Sequence, residues 1–209
     1  MKNSGPIGVF DSGYGGLTVL TEFLSKLPNH DFLYLGDNAR APYGTRSFDV
    51  VYEYTLQAVN ELFRRGCPLV ILACNTASAK ALRTIQQNDL PILAPNNRVL
   101  GVIRPSIELI GNFSKSKQIG ILATEGTVKS DSYKIEISKI DPTIKVHQHA
   151  CPMWVPLIEN GTHFTKPGKK FIQKDVKRLM KKSKLIDTIL LGCTHYPVIE
   201  DYIHTLVPD

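Results

Sequence analysis

Two cysteines, Cys74 and Cys193, each end an apolar run and open a cluster of small polar side chains. The first run, Leu69-Val70-Ile71-Leu72-Ala73, passes into Cys74-Asn75-Thr76-Ala77-Ser78. The second, Ile189-Leu190-Leu191-Gly192, passes into Cys193-Thr194-His195-Tyr196-Pro197. A lone buried cysteine reads as a structural thiol, but a second copy in an equivalent setting gives it a partner. Paired thiols can exchange disulfides or share acid–base work. Redox pairs are usually adjacent as Cys-x-x-Cys, a spacing absent from this chain. The alternative is proton removal from one side of a carbon and delivery to the other, which inverts a stereocentre without a cofactor. That needs one thiolate and one thiol, and an unperturbed cysteine is only a few per cent ionised near neutrality. Asp11 and His195 stand on strand-end loops where they can assist the two thiols.

These residues require strands to carry them to one edge. Unbroken β-branched and aliphatic runs read as parallel strands buried on both faces, and open α/β sheets bind ligands beyond the carboxyl ends of such strands. Ile7–Phe10 reads as the opening strand, followed by the glycine-rich loop Asp11-Ser12-Gly13-Tyr14-Gly15-Gly16 and a helix stopped by Pro28. The loop matches neither a dinucleotide nor a P-loop pattern, so its backbone amides suit a phosphate or a carboxylate equally. Asp31–Gly36 reads as a strand, Ser47–Arg65 as a helix, Ala77–Gln87 as a helix and Pro91–Leu93 as a short strand. The pattern then restarts. Val102–Ile110 reads as a helix breaking at Pro105, Gln118–Ala123 as a strand, Ser130–Lys139 as a helix and Thr143–Ala150 as a strand. Cys151–Leu157 reads as a proline-broken loop, and a basic helix, a strand at Thr188–Gly192 and a last helix to Leu206 follow. Two similar α/β domains, 1–97 and 98–209, are therefore expected, each an open, mostly parallel sheet flanked by helices. Pseudo-symmetry would aim both thiols at a cleft between them.

The 209 residues are 43% apolar and 21% charged, ordinary globular composition. No run approaches the roughly 20 apolar residues of a membrane span, and the N-terminus lacks a signal-peptide core. A cytoplasmic protein with reduced thiols is expected. The four cysteines, Cys67, Cys74, Cys151 and Cys193, lack zinc-site spacing, so no metal is expected. The net charge of +6 is local: residues 166–184 carry +8, leaving −2 elsewhere. Ile172, Val176 and Leu179 in that segment form a helical buried stripe, and base-stacking aromatics are absent. A solvated helix face is favoured over nucleic-acid binding.

Seven stretches together resemble the glutamate racemases, within the aspartate/glutamate racemase family. They are Gly8-Val9-Phe10-Asp11-Ser12-Gly13-x-Gly15-Gly16, Asp37-x-x-x-x-Pro42-Tyr43-Gly44, Ala73-Cys74-Asn75-Thr76-Ala77, Gly101-Val102-Ile103-x-Pro105, Ala123-Thr124-x-Gly126-Thr127, Cys151-Pro152, and Gly192-Cys193-Thr194-His195-Tyr196-Pro197. The resemblance implies a cofactor-independent isomerase that interconverts L- and D-glutamate and supplies the D-enantiomer for peptidoglycan. Cys74 would deprotonate D-glutamate and Cys193 L-glutamate, with Asp11, His195 and Glu159 assisting. Asp11, Ser12, Tyr43, Gly44, Asn75, Thr76, Thr124, Thr127, Thr194 and His195 match substrate-binding positions. A homodimer is among the expected forms, and neither a membrane nor nucleic acid is an expected partner. In the family a returning strand and final helix complete the first domain. This sequence stops at Asp209, so that return is expected to be missing. The alternatives are an aspartate racemase and a truncated, non-catalytic binding protein.

Overall fold

Parallel strands begin where the apolar runs do. The computed structural model describes residues 5–110 and 113–207, and the chain divides into two units, Met1–Val102 and Ile103–Asp209.

In the first unit, β1 (Ile7–Asp11), β2 (Phe32–Gly36), β3 (Leu69–Leu72) and β4 (Arg98–Gly101) form one parallel sheet in the order β2-β1-β3-β4. Helix α1 (Leu17–Lys26) follows β1, and α2 (Phe48–Arg64) follows β2. Ser47 caps α2 by accepting the Val50 N–H at 3.3 Å, and Val51, Thr55, Ala58, Val59 and Leu62 form its buried stripe. Gly66, at φ 87°, ends α2: its N–H bonds the Phe63 carbonyl while the Cys67 N–H bonds that of Leu62. This paired closure needs a left-handed residue and turns the chain directly into β3. Helix α3 (Asn75–Lys80) springs from the end of β3. The expected single helix is instead a broken run: α3, the short turn α4 (Leu82–Thr84), a π-turn at Ile85–Asp89, and α5 (Leu90–Leu93).

Two expectations are overturned here. Pro91–Leu93 is helical rather than a strand: α5 continues directly from the π-turn, whose Ile85 carbonyl takes the Leu90 N–H, and Pro91 is its second residue. The true fourth strand is β4, whose Arg98 and Leu100 face solvent, so its short sequence lacks a buried run's signature.

In the second unit, α6 (Ile103–Ile110) leads to a parallel sheet of β5 (Gln118–Ala123), β6 (Lys145–Ala150) and β7 (Thr188–Gly192) in the order β6-β5-β7. Pro105 does not break α6, since it is the third residue of that helix. The short α7 (Glu125–Lys129) precedes α8 (Ser132–Ile140), which lies where the helix over Ser130–Lys139 was expected. The expected loop after Cys151 contains α9 (Trp154–Glu159), tolerated because Pro156 again sits in the first turn. Helix α10 (Lys166–Met180) is capped by Thr165, which accepts the Gly168 N–H at 3.2 Å. Its Ile172, Val176 and Leu179 are buried, each contributing roughly 1.5–3 kcal/mol. All its lysines are exposed, as a solvated face requires. A 3₁₀ turn (Tyr196–Ile199) and α11 (Glu200–His204) follow β7. No helix among the described residues is long and apolar enough to cross a membrane.

Candidate active site

In the first sheet the chain order reverses between β1 and β3, the point at which an open α/β sheet leaves a crevice beyond its strands. Asp11 ends β1 and Cys74 follows β3, so both lie at that point. The Cys74 sulfur is the N-cap of α3 and accepts the Ala77 N–H at 3.4 Å; its thiol donates to Ser12 Oγ at 3.4 Å. Cys74 is only 5% exposed. Burial first, then the nearby Asp11 carboxylate, pushes its thiol up to about 11, outweighing the Ser12 and Ala77 hydrogen bonds that favour the thiolate.

Asp11 is fully buried, and its Oδ2 accepts the Gly13 N–H at 3.0 Å. One amide of the glycine loop therefore serves Asp11 itself. Tyr34 donates its hydroxyl to the Gly13 carbonyl at 2.6 Å and fixes the loop from the other side. Gly16 makes the packing possible, since a Cβ there would lie 2.4 Å from Asp11 Cβ.

Tyr43, also buried, reaches Asp37 Oδ2 at 2.5 Å, and Arg40 Nε holds the same oxygen at 2.6 Å. The Arg46 guanidinium donates to the Arg40 carbonyl, and Lys80 Nζ donates to the Arg46 carbonyl at 2.6 Å. Loop 37–46, which carries Tyr43 and Gly44, is thus tied down by its own polar groups and by α3. Asn75 and Thr76 are buried in the first turn of α3. Asp37, Arg40, Arg46 and Lys80 had no assigned part in the sequence reading. Asp37 opens one of the quoted motifs, and that was the available signal; nothing local marks Lys80.

The second sheet repeats the plan. Thr124 follows β5 and Cys193 follows β7, flanking the β5/β7 reversal. Thr124 caps α7, accepting the Thr127 N–H at 3.3 Å, and the two hydroxyls lie 3.1 Å apart. Cys193, 7% exposed, has its sulfur 3.8 Å from His195 Nδ1, and His195 Nε2 lies 2.9 Å from Glu159 Oε1. With Nε2–H given to the Glu159 carboxylate, a neutral imidazole presents Nδ1 as an acceptor for the thiol. Thr194 is buried between them in sequence. Tyr196 sends its hydroxyl to the Cys151 carbonyl at 3.2 Å, and its ring packs on Trp154 at 4.8 Å between centroids.

The structure therefore gathers Asp11, Ser12, Asn75 and Thr76 around Cys74, with Tyr43 and Gly44 on the adjoining loop. It gathers His195, Glu159 and Thr194 around Cys193, with Thr124 and Thr127 beyond the neighbouring strand. Each cluster couples a thiol to a carboxylate or to an imidazole–carboxylate pair, the equipment for moving a proton at carbon. The hydroxyls and amides provide the donors a carboxylate substrate needs.

The sequence model of a family described as Asp/Glu/Hydantoin racemase matches residues 19–208. A protein named glutamate racemase from Persephonella marina is 40% identical over 203 residues, covering 97% of this chain and 74% of that protein. The crystal structure of a glutamate racemase isoform from Bacillus anthracis superposes with a TM-score of 0.90 at 36% identity, covering 99% of this chain and 75% of that one. A glutamate racemase from Francisella tularensis, solved in complex with D-glutamate, gives a TM-score of 0.85 at 35% identity, covering 98% of this chain and 74% of that one.

Proposed function

This chain belongs to the Asp/Glu/Hydantoin racemase family, and from that premise we propose that it is a glutamate racemase, interconverting L- and D-glutamate without a cofactor. The observation that carries the reading is the repeated strand-end thiol. Cys74 and Cys193 follow equivalent strands of two similarly ordered parallel sheets, each with its own proton-handling neighbours. The relative bound to D-glutamate supports the choice of substrate.

The thiolate on one side takes the α-proton, and the C–H electron pair stays on carbon. The thiol on the other side gives its proton to the opposite face, leaving the two sulfurs with exchanged protonation states. Cys74 serves the D-enantiomer and Cys193 the L-enantiomer. A thiol held near 11 is almost wholly neutral in the free protein. The substrate ammonium, arriving beside it, favours the thiolate. Asp11 orients and assists Cys74, while the His195–Glu159 pair takes and returns the Cys193 proton. Ser12, Tyr43, Gly44, Asn75, Thr76, Thr124, Thr127 and Thr194 hold the substrate's carboxylates and ammonium. The reaction supplies D-glutamate to the cytoplasmic stage of peptidoglycan synthesis.

The test follows loss of D-glutamate optical activity by circular dichroism with the native chain, Cys74→Ser and Cys193→Ser, and repeats it on D-aspartate. The native chain is expected to act on glutamate far faster than on aspartate, and each variant to stop racemising. Full racemisation by either variant would sink the two-thiol mechanism, and preference for aspartate would overturn the substrate.

A further inference from the structure

His149 and Cys151 lie two residues apart at the end of β6, where strand geometry persists: the Cys151 N–H still bonds the Ala123 carbonyl of β5 at 2.9 Å. A period of two places both side chains on one face of the sheet. Helix α10 packs there and delivers Asp175, the single acid of its basic run, on the buried stripe with Ile172, Val176 and Leu179. One ligand atom from each of His149, Cys151 and Asp175 lies within 4.8 Å of the other two. The sequence lacks the local spacing of a metal site. The third ligand arrives from an element 24 residues away, which spacing rules do not search.

We infer that His149, Cys151 and Asp175 form a binding site for a soft divalent cation of the zinc class. An imidazole nitrogen, a thiolate and a carboxylate oxygen are the three donor types zinc takes, and around a tetrahedral zinc they stand about 3.3–3.7 Å apart. His149 Nε2 and Asp175 Oδ1 are already 3.0 Å apart. Asp175 Oδ2 accepts the Trp154 indole N–H at 3.0 Å, which supplies the outer hydrogen bond that orients a ligating carboxylate. The His149 side chain, 16% exposed, gives a route from solvent, whereas Cys151 is sealed at 1%. Arg178 Nη1, 3.7 Å from Asp175 Oδ1 and largely exposed, swings out as the cation enters. Cys151 ligates as the thiolate, so the thiol proton passes to solvent as the metal–sulfur bond forms. The site adjoins the Cys193 loop through the Tyr196 hydroxyl on the Cys151 carbonyl, yet it does not depend on the racemase reading.

The test titrates the full chain with Co²⁺ and follows the thiolate-to-cobalt charge-transfer band, then displaces cobalt with Zn²⁺ by calorimetry. One equivalent is expected to produce the band, with equal intensity in Cys74→Ser and Cys193→Ser and none in Cys151→Ser. His149→Gln is expected to weaken Zn²⁺ binding at least about tenfold. A missing band in the native chain, a band that survives Cys151→Ser, or one that vanishes with Cys74→Ser or Cys193→Ser overturns the assignment. If Cys151→Ser fails to fold, His149→Gln decides, and unchanged affinity there refutes it.

Discussion

The free Cys74 thiol should react with iodoacetamide with a pH dependence unlike that of an ordinary cysteine. Its sulfur is buried and faces the Asp11 carboxylate, which raises it from 9.0 to about 11. The reactive species is the thiolate. Between pH 7 and 10 the thiolate fraction of a group at 9.0 grows about 90-fold and then levels. For a group near 11 it grows about 900-fold and is still climbing, by about fivefold over the next unit. The assay is alkylation of the native chain followed by peptide mass spectrometry, so that Cys74 is read separately from Cys67, Cys151 and Cys193. Asp11→Asn removes the second cause of the shift while keeping an acceptor for the Gly13 N–H. Its Cys74 should therefore ionise at lower pH and react faster at neutrality. A Cys74 rate that levels near pH 9, or one that slows in Asp11→Asn, would refute the electrostatic reasoning.

The same shift makes Cys74 a liability to stability in alkali. The folded chain keeps a proton that the unfolded chain gives up above 9, so its contribution falls as pH rises toward about 11. Denaturant unfolding at about pH 10.5 should show Cys74→Ser spared about 2 kcal/mol of the native chain's loss, and equal losses would contradict this. Trp154→Phe strips the indole donor from the buried Asp175 carboxylate and should cost about 1–3 kcal/mol in the same experiment. Glu159→Gln weakens the partner of His195 Nε2. It should slow solvent deuterium exchange into L-glutamate more than into D-glutamate; equal slowing would detach Glu159 from Cys193.

Both thiol-bearing strands and their glycine and hydroxyl flanks were legible because none of their residues is fully exposed, and such parallel strands carry unbroken apolar runs, as at Leu69–Leu72 and Ile189–Leu191. Two misread segments share a physical cause. Pro105 and Pro156 signal breakage wherever they fall, yet each sits in a first helical turn whose N–H groups have no intrahelical partner to lose. Strand β4 was missed because Arg98 and Leu100 face solvent and four residues are too few for a pattern. Polar partnerships across distant elements, such as Lys80 with Arg46 or Asp175 with His149, depend on packing that no local spacing records.

Cys74 also has an architectural duty, as the residue that closes the amino end of α3 through the Ala77 N–H. Serine and aspartate perform that duty at least as well as sulfur does. A variant screen scored on folding, solubility or expression would therefore pass Cys74→Ser as benign, or even reward it, while the chemistry proposed here would be gone. At this position the scaffold is indifferent to the atom on which turnover depends, so only a turnover measurement can classify a substitution.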